Sequence, residues 1–328
     1  MALLPLSIAH GRYDRVWPLL DGRVRPEGID ANHVILEPEE CFWRMLRHEE
    51  FDVAEMSLSS YCIARALGDD RFVGIPVFLS RSFRHSMVYV RADAGIATPR
   101  DLEGRRVGVP EYQMTAAVWG RGLLAREHGV DLSTITWMTG GLEQPGRVER
   151  QPLSLPPWVH VRQLNTETTL VSALQAGHLD GVLAPRVPSL YRSGGCVRLF
   201  PDFADQDLTY FRHTGIFPIM HLVVVRRAVL ELHPWVAESL FKAFTEAKDV
   251  ALAGLADAPA LRYTIPMLLP VLEDQQSVFG SDPWPYGMEA NRVALDTFVE
   301  LLVDQGLVDG ALDPATLFAA STLTTSRI

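Results

Sequence analysis

The sequence predicts a two-lobed α/β protein with a discontinuous first domain and a cleft between the lobes. Three observations point there. Strands and helices alternate through the first hundred residues, which implies a parallel sheet covered on both faces. The alternation resumes in the middle of the chain, and the last third returns with one more apolar strand before a run of helices. The length of 328 residues exceeds one small core and suits two ordinary domains. One lobe is expected to span 1–95 and 215–328, with the second, inserted lobe at 96–214. Two chain crossings make a hinge. Open α/β sheets hold ligands outside the carboxyl ends of their strands, so site residues belong in strand-to-helix loops.

The elements follow in order. Leu4 to Ala9 reads as a strand, as does Val34 to Leu36; Glu39 to Arg47 sets Phe42, Trp43, Met45 and Leu46 among charges, a helical pattern. Phe51 to Glu55 is a strand, Ser57 to Leu67 a helix capped by Ser57, and Phe72 to Phe78 and Met87 to Val90 are strands. In the middle, Asp101 to Gly104 is a helical turn, Arg106 to Val109 a strand and Thr115 to Glu127 a helix. Thr168 to Gln175 is a helix stopped by Gly177, and Gly181 to Leu183 a short strand. Gly140 to Pro157, rich in Gly and Pro with mixed charge, is an irregular excursion of a length that ordinarily serves a site or moves. The strand His221 to Val225 then precedes helices over Pro234 to Ala253, Pro266 to Gln276 and Met288 to Gln305.

Composition narrows the function. The formal net charge of −10 argues against nucleic acid or an anionic membrane as partner, so any anionic ligand must be held by local positive groups. Only Lys242 and Lys248 are lysines among 30 basic residues, which weakens the argument that any one arginine has a ligand. Cys41, Cys62 and Cys196 give neither a disulfide framework nor a metal spacing, and Cys41 and Cys62 read as small core residues. The N-terminal stretch lacks a basic flank and is broken by Pro5, so it reads as a strand rather than a secretion signal, and no run is long enough to span a membrane. A cytoplasmic location is expected, which disfavours a secreted solute receptor. Homo-oligomerisation stays open.

Several long segments resemble the 4,5-dihydroxyphthalate decarboxylase family. They are Phe42-Trp43-Arg44-Met45-Leu46, the run Glu50 to Tyr61, Ile75 to Phe78 with Arg81 to Ser86, Val107 to Trp119, Thr214 to His221, and Trp284-Pro285-Tyr286-Gly287. The match is weaker around Ala9 to Trp17 and between Gly146 and His160. The resemblance implies the type II periplasmic-binding-protein-like fold. It further implies a non-oxidative carboxy-lyase acting on a small aromatic dicarboxylate, yielding 3,4-dihydroxybenzoate and CO2. The fold also carries non-catalytic small-acid receptors and other lyases, which remain the alternatives.

The implied reaction sets the site's requirements. Breaking the aryl–carboxylate bond directly would leave an in-plane carbanion without π stabilisation. Protonating that ring carbon first avoids it, with a para hydroxyl pushing electrons in. The site then needs a general acid, donors for the remaining carboxylate, an acceptor for the phenol and a dry cleft. No organic cofactor is required. A divalent ion held by Glu55, Glu111 and histidines is the open alternative, although no paired-histidine spacing marks one. His85, after Arg81 and Arg84, is the first candidate acid, followed by His221 at the return crossing and His10 after the first strand; each can instead be a structural histidine. The helix starts at Ser57 to Ser60 and at Thr115 offer N–H groups and hydroxyls to carboxylates, or are ordinary caps. Ser57, Ser59 and Thr115 would thus place anion sites on opposite walls of one cleft. Arg81 and Arg84 are candidate bidentate carboxylate ligands, with Arg12 and Arg186 after predicted strand ends as further ones. Glu111 is a candidate acceptor for a catechol hydroxyl and Tyr112 lies beside it; Trp43 and Trp119 read as core.

Overall fold

The computed structural model describes residues 2–256, 263–310 and 312–323. The chain opens with β1 (Leu4–His10), α1 (Trp17–Leu20), β2 (Ile29–Ile35), α2 (Pro38–His48), β3 (Val53–Ser57), α3 (Leu58–Ala66) and β4 (Phe72–Arg81). It crosses and continues through β5 (Val88–Arg91), β6 (Arg106–Val109), α4 (Thr115–Arg126), β7 (Thr136–Thr139), β8 (His160–Gln163), α5 (Leu170–Gln175), β9 (Gly181–Leu183), α6 (Ser189–Arg192), β10 (Cys196–Arg198) and α7 (Phe203–Thr214). It returns as β11 (Ile219–Arg226) and ends in α8 (Arg227–Leu232), α9 (Val236–Ala256), α10 (Leu268–Phe279) and α11 (Arg292–Asp304).

Two sheets result, ordered β2-β1-β3-β11-β4 and β10-β5-β9-β6-β7-β8. In the first, β1 runs parallel to β2 and β3, and the returning β11 wedges antiparallel between β3 and β4. Every residue of β3 is buried, as befits a strand with neighbours on both edges and helices on both faces. Cys41, Phe42, Met45 and Leu46 are the buried stripe of α2, which packs on β3. The turn from α7 into β11 uses Gly215 at φ 70°, a left-handed C-cap that costs glycine little.

The domain boundary differs from the expectation in two places. The strand Val88–Arg91 belongs to the six-stranded sheet, so the first crossing lies between Arg81 and Val88 rather than near residue 95. The helix α11, expected with the first lobe, packs on α4 of the second. Phe298 meets the Trp119 ring at 5.2 Å, Gln305 donates to the Val118 carbonyl at 2.9 Å, and Arg126 pairs with Glu300 and Asp304. The strands β7, β8 and β10 and the helix α7 went unpredicted; the strands are three or four residues long, and α7 buries only Tyr210. Residues 140–159 contain neither helix nor strand.

Candidate active site

The adjacent strands β3 and β11 bring a buried carboxylate against a histidine. Glu55 points from the middle of β3 and is completely buried. It accepts from Tyr13 Oη at 2.7 Å, from the Gly11 amide at 2.8 Å and from His221 Nδ1 at 2.6 Å. Burial alone would raise its pKa; the donors, His221 foremost, hold it below the ordinary carboxylate value. Its own burial, and then the Glu55 charge beside it, push the Tyr13 phenol upward, so Tyr13 stays a donor. His221 spends one ring nitrogen on Glu55 and is partly exposed. Among the described residues the other nitrogen has no protein partner. Phe42 of α2 packs edge-on against this ring, with centroids 4.7 Å apart.

His221 lies opposite Ser57 in the β3–β11 register, which sets it beside the junction of the lobes. Here the starts of α3 and α4 meet. Ser57 Oγ and Thr115 Oγ1 are 2.9 Å apart, and the Ser59 amide donates to Thr115 Oγ1 at 3.0 Å. Two positive helix ends therefore face the same small volume. Four residues at or just before these two helix starts carry a buried polar atom without a hydrogen-bond partner among the described residues: Ser59 Oγ, Ser60 Oγ, Gln113 Oε1 and Glu111 Oε2. Uncompensated buried polar atoms cost about 1–3 kcal/mol each in a folded protein, a cost that polar groups of a ligand reaching them would offset.

The irregular excursion enters the cleft. Arg147 bridges the lobes, donating to Glu111 from Nε at 2.9 Å and to Glu39 of α2 from Nη1 at 2.9 Å. Arg150 reaches Glu111 at 3.1 Å, and its guanidinium lies 5.2 Å from the centre of the Phe42 ring. Gln151 donates to the Ser60 carbonyl at 3.1 Å. A cavity of about 710 Å³ opens outward from here, lined from the first lobe by Glu39 and Trp43 and from the second by Glu111, Met114, Arg147, Arg150, Arg186 and their neighbours. That volume suits a small ligand.

The structure sorts the sequence candidates. Ser57, Ser59 and Thr115 meet at the junction with His221 across the strand pair from Ser57, while Glu111 and Arg186 line the neighbouring cavity, Arg186 as an exposed side chain 4.0 Å from Glu37. Arg12 is exposed in the loop after β1, next to the Gly11 amide that serves Glu55. His85 is corrected: its Nδ1 meets Asp207 of α7 at 2.5 Å, and its ring packs among His128, Phe200 and Tyr210, away from the cavity. Its neighbour Arg84 is buried there as well, its pKa lowered by burial to about 10. Arg81 instead ties β4 to the Phe217 and Pro285 carbonyls and to Asn291. His10 points the other way, toward Gly11 carbonyl, His33 and Phe244, and burial lowers its pKa. Tyr112 turns its ring to Arg121 and its hydroxyl to the Gln305 carbonyl. None of these five side chains lines the cavity. Trp119 is core, but Trp43 is 41% exposed at the cavity wall. Cys41 and Cys62 are buried with thiol pKa values raised, chiefly by burial, which leaves them inert. Among the described residues, no group of His, Cys, Asp and Glu is gathered as a metal-ligand set.

Sequence reasoning missed Tyr13, Phe42, Arg147 and Arg150. The available signal was the excursion itself, whose arginines stand in a segment too long to be a mere connection.

No family model matches the chain. Among curated proteins it is 42% identical over 330 residues to 4,5-dihydroxyphthalate decarboxylase of Comamonas testosteroni, covering all of both chains. It is 46% identical over 194 residues to 4,5-dihydroxyphthalate decarboxylase of Pseudomonas putida, covering 59% of this chain and 75% of that one. Among solved structures, the periplasmic aliphatic sulphonate binding protein SsuA of Escherichia coli superposes with a TM-score of 0.53 at 17% identity, covering 98% of this chain and 99% of that one. That likeness shows the two-lobed binding-protein fold and nothing of the ligand.

Proposed function

This chain belongs to the 4,5-dihydroxyphthalate decarboxylase family, and from that membership and the cleft geometry we propose that it converts 4,5-dihydroxyphthalate to 3,4-dihydroxybenzoate and CO2. The observation that carries the chemistry is the His221–Glu55 pair. A fully buried carboxylate stabilises the imidazolium through Nδ1 and leaves Nε2 to deliver a proton.

The steps balance without a redox partner. Nε2 protonates the ring carbon that bears the departing carboxylate, and the hydroxyl para to it supplies the electrons. The C–C bond then breaks, its electron pair returns to the ring, CO2 leaves, and the imidazole takes a proton from water. The α3 and α4 starts, with the Ser59 and Ser60 hydroxyls, supply donors for the anionic edge of the ring. The unpartnered Glu111 oxygen supplies an acceptor for a catechol hydroxyl. Arg147 and Arg150 add positive charge beside Phe42. The substrate is thus read as a small aromatic dicarboxylate, with no organic cofactor called for. The three free, buried cysteines are in keeping with action in the reducing cytoplasm. No helix among the described residues is long and apolar enough to cross a membrane.

The test is to incubate the protein with 4,5-dihydroxyphthalate and follow CO2 and 3,4-dihydroxybenzoate. Stoichiometric release of both is expected, and its loss in His221→Asn with binding retained. Binding without turnover in the wild-type protein would overturn the reading in favour of a small-acid receptor.

A further inference from the structure

The excursion carries one carboxylate that the chemistry above does not use. Glu149 is mostly buried against the loop before α4, where its Oε1 accepts from the Tyr112 amide at 2.5 Å. Its Oε2 accepts from Gln113 Nε2 at 3.1 Å and faces the Gln113 amide at 3.4 Å. This is how two successive amides of a strand-to-helix loop grip an anion. No cation pairs with Glu149 among the described residues, although Arg147 and Arg150 on either side of it both turn to Glu111. The arrangement has a cost: burial, with the nearby Glu111 charge, raises the Glu149 pKa despite those hydrogen bonds. The segment is bounded by Gly146, at φ 82° with open space around its Cα, and by Pro152.

We infer that the Tyr112 and Gln113 amides with the Gln113 side chain form the subsite for the carboxylate that substrate retains, and that Glu149 occupies it as an internal stand-in until substrate displaces it. The inference rests on the aromatic-dicarboxylate reading above. A carboxylate on the ligand presents the same two oxygens to the same donors. The 147–151 strap then leaves with Glu149, and the two arginines it carries are free to change partners. Displacement also breaks the Gln151 contacts to the Ser60 carbonyl and to Gln113 Nε2. Glu149 is on this account a specificity-setting residue: a ligand without a carboxylate has nothing to exchange for it.

The test is the affinity of phthalate, which carries both carboxylates but lacks the para hydroxyl that ring protonation needs, so binding is read apart from turnover. Glu149→Ala removes the competitor, and Glu149→Gln removes its charge while keeping its shape. If the strap is open about a tenth of the time in wild type, Glu149→Ala binds phthalate about tenfold tighter, with Glu149→Gln between the two. Benzamide, which lacks a carboxylate, should gain much less. Phthalate affinity unchanged or weakened in both folded variants would overturn the inference, and should the alanine variant fail to fold, the isosteric glutamine decides alone. Failure of every form, wild type included, to bind phthalate would instead strike at the dicarboxylate reading itself.

Discussion

The sharpest prediction concerns Glu55→Gln. The substitution keeps the side-chain shape and an oxygen that can accept from Tyr13 and His221, but it removes the negative charge from beneath the imidazole. With His221 Nδ1 2.6 Å from Oε1, the two charge centres are about 4 Å apart, and at an effective dielectric of about 20 their attraction is about 4 kcal/mol. Side-chain rearrangement and water entering the site return part of it, leaving a loss of about 2–4 kcal/mol from the protonated acid, or about 30- to 1000-fold in kcat. Phthalate affinity should stay within about threefold, since Glu55 lies behind the ring and touches no ligand. The assay is initial-rate release of 3,4-dihydroxybenzoate across pH, paired with calorimetric phthalate binding. A variant that turns over within about threefold of wild type at every pH, or one that loses affinity in step with kcat, would refute the dyad as the acid.

Three further outcomes are expected. Thr115→Val removes the acceptor of the buried Ser59 amide and the partner of Ser57 Oγ, so it should cost about 1–3 kcal/mol in urea denaturation and weaken phthalate binding. Asp207→Asn should lower the denaturation midpoint but leave kcat of the folded fraction close to wild type, because His85 holds α7 against the hinge rather than serving the reaction; a kcat loss beyond about tenfold would restore His85 to the site. His33, held neutral first by burial and then by its neighbour His10, has its pKa lowered from 6.5 to about 4. The unfolded chain therefore binds more protons than the folded one between these values, and this part of the stability is lost as pH falls from 6.5 toward 4. His33→Gln should melt with a shallower dependence on pH in that window, as thermal scans at pH 7 and pH 5 would show.

The free thiols bear on handling as much as on function. With Cys41 and Cys62 sealed in the first lobe, oxidation should not inactivate the folded protein, which separates it from enzymes that act through cysteine.

Much of the architecture was legible locally. Periodicity placed Arg106–Val109 and Gly181–Leu183, and the Ser57 and Thr115 helix starts, because strand alternation and capping are written within a few residues. From those starts the sequence could also name candidate anion sites. It could name His221 but could not rank it above His85, since both follow strand-rich segments with arginines or apolar residues nearby. The ranking depends on what lies across a strand: β11 runs antiparallel beside β3, so His221 falls next to Glu55, 166 residues away, while His85 falls against Asp207, 122 residues away. The same holds for Arg147, Arg150 and Glu149. Their spacing has no period, and only the folding of an irregular segment back between the lobes gives each a partner. The sequence alone determined most of the alternating elements and the caps, because these depend on neighbours in the chain. Tertiary structure alone decided which histidine has a buried carboxylate and which arginines reach the cleft, because a charge's environment is made by residues that meet only once both sheets are closed.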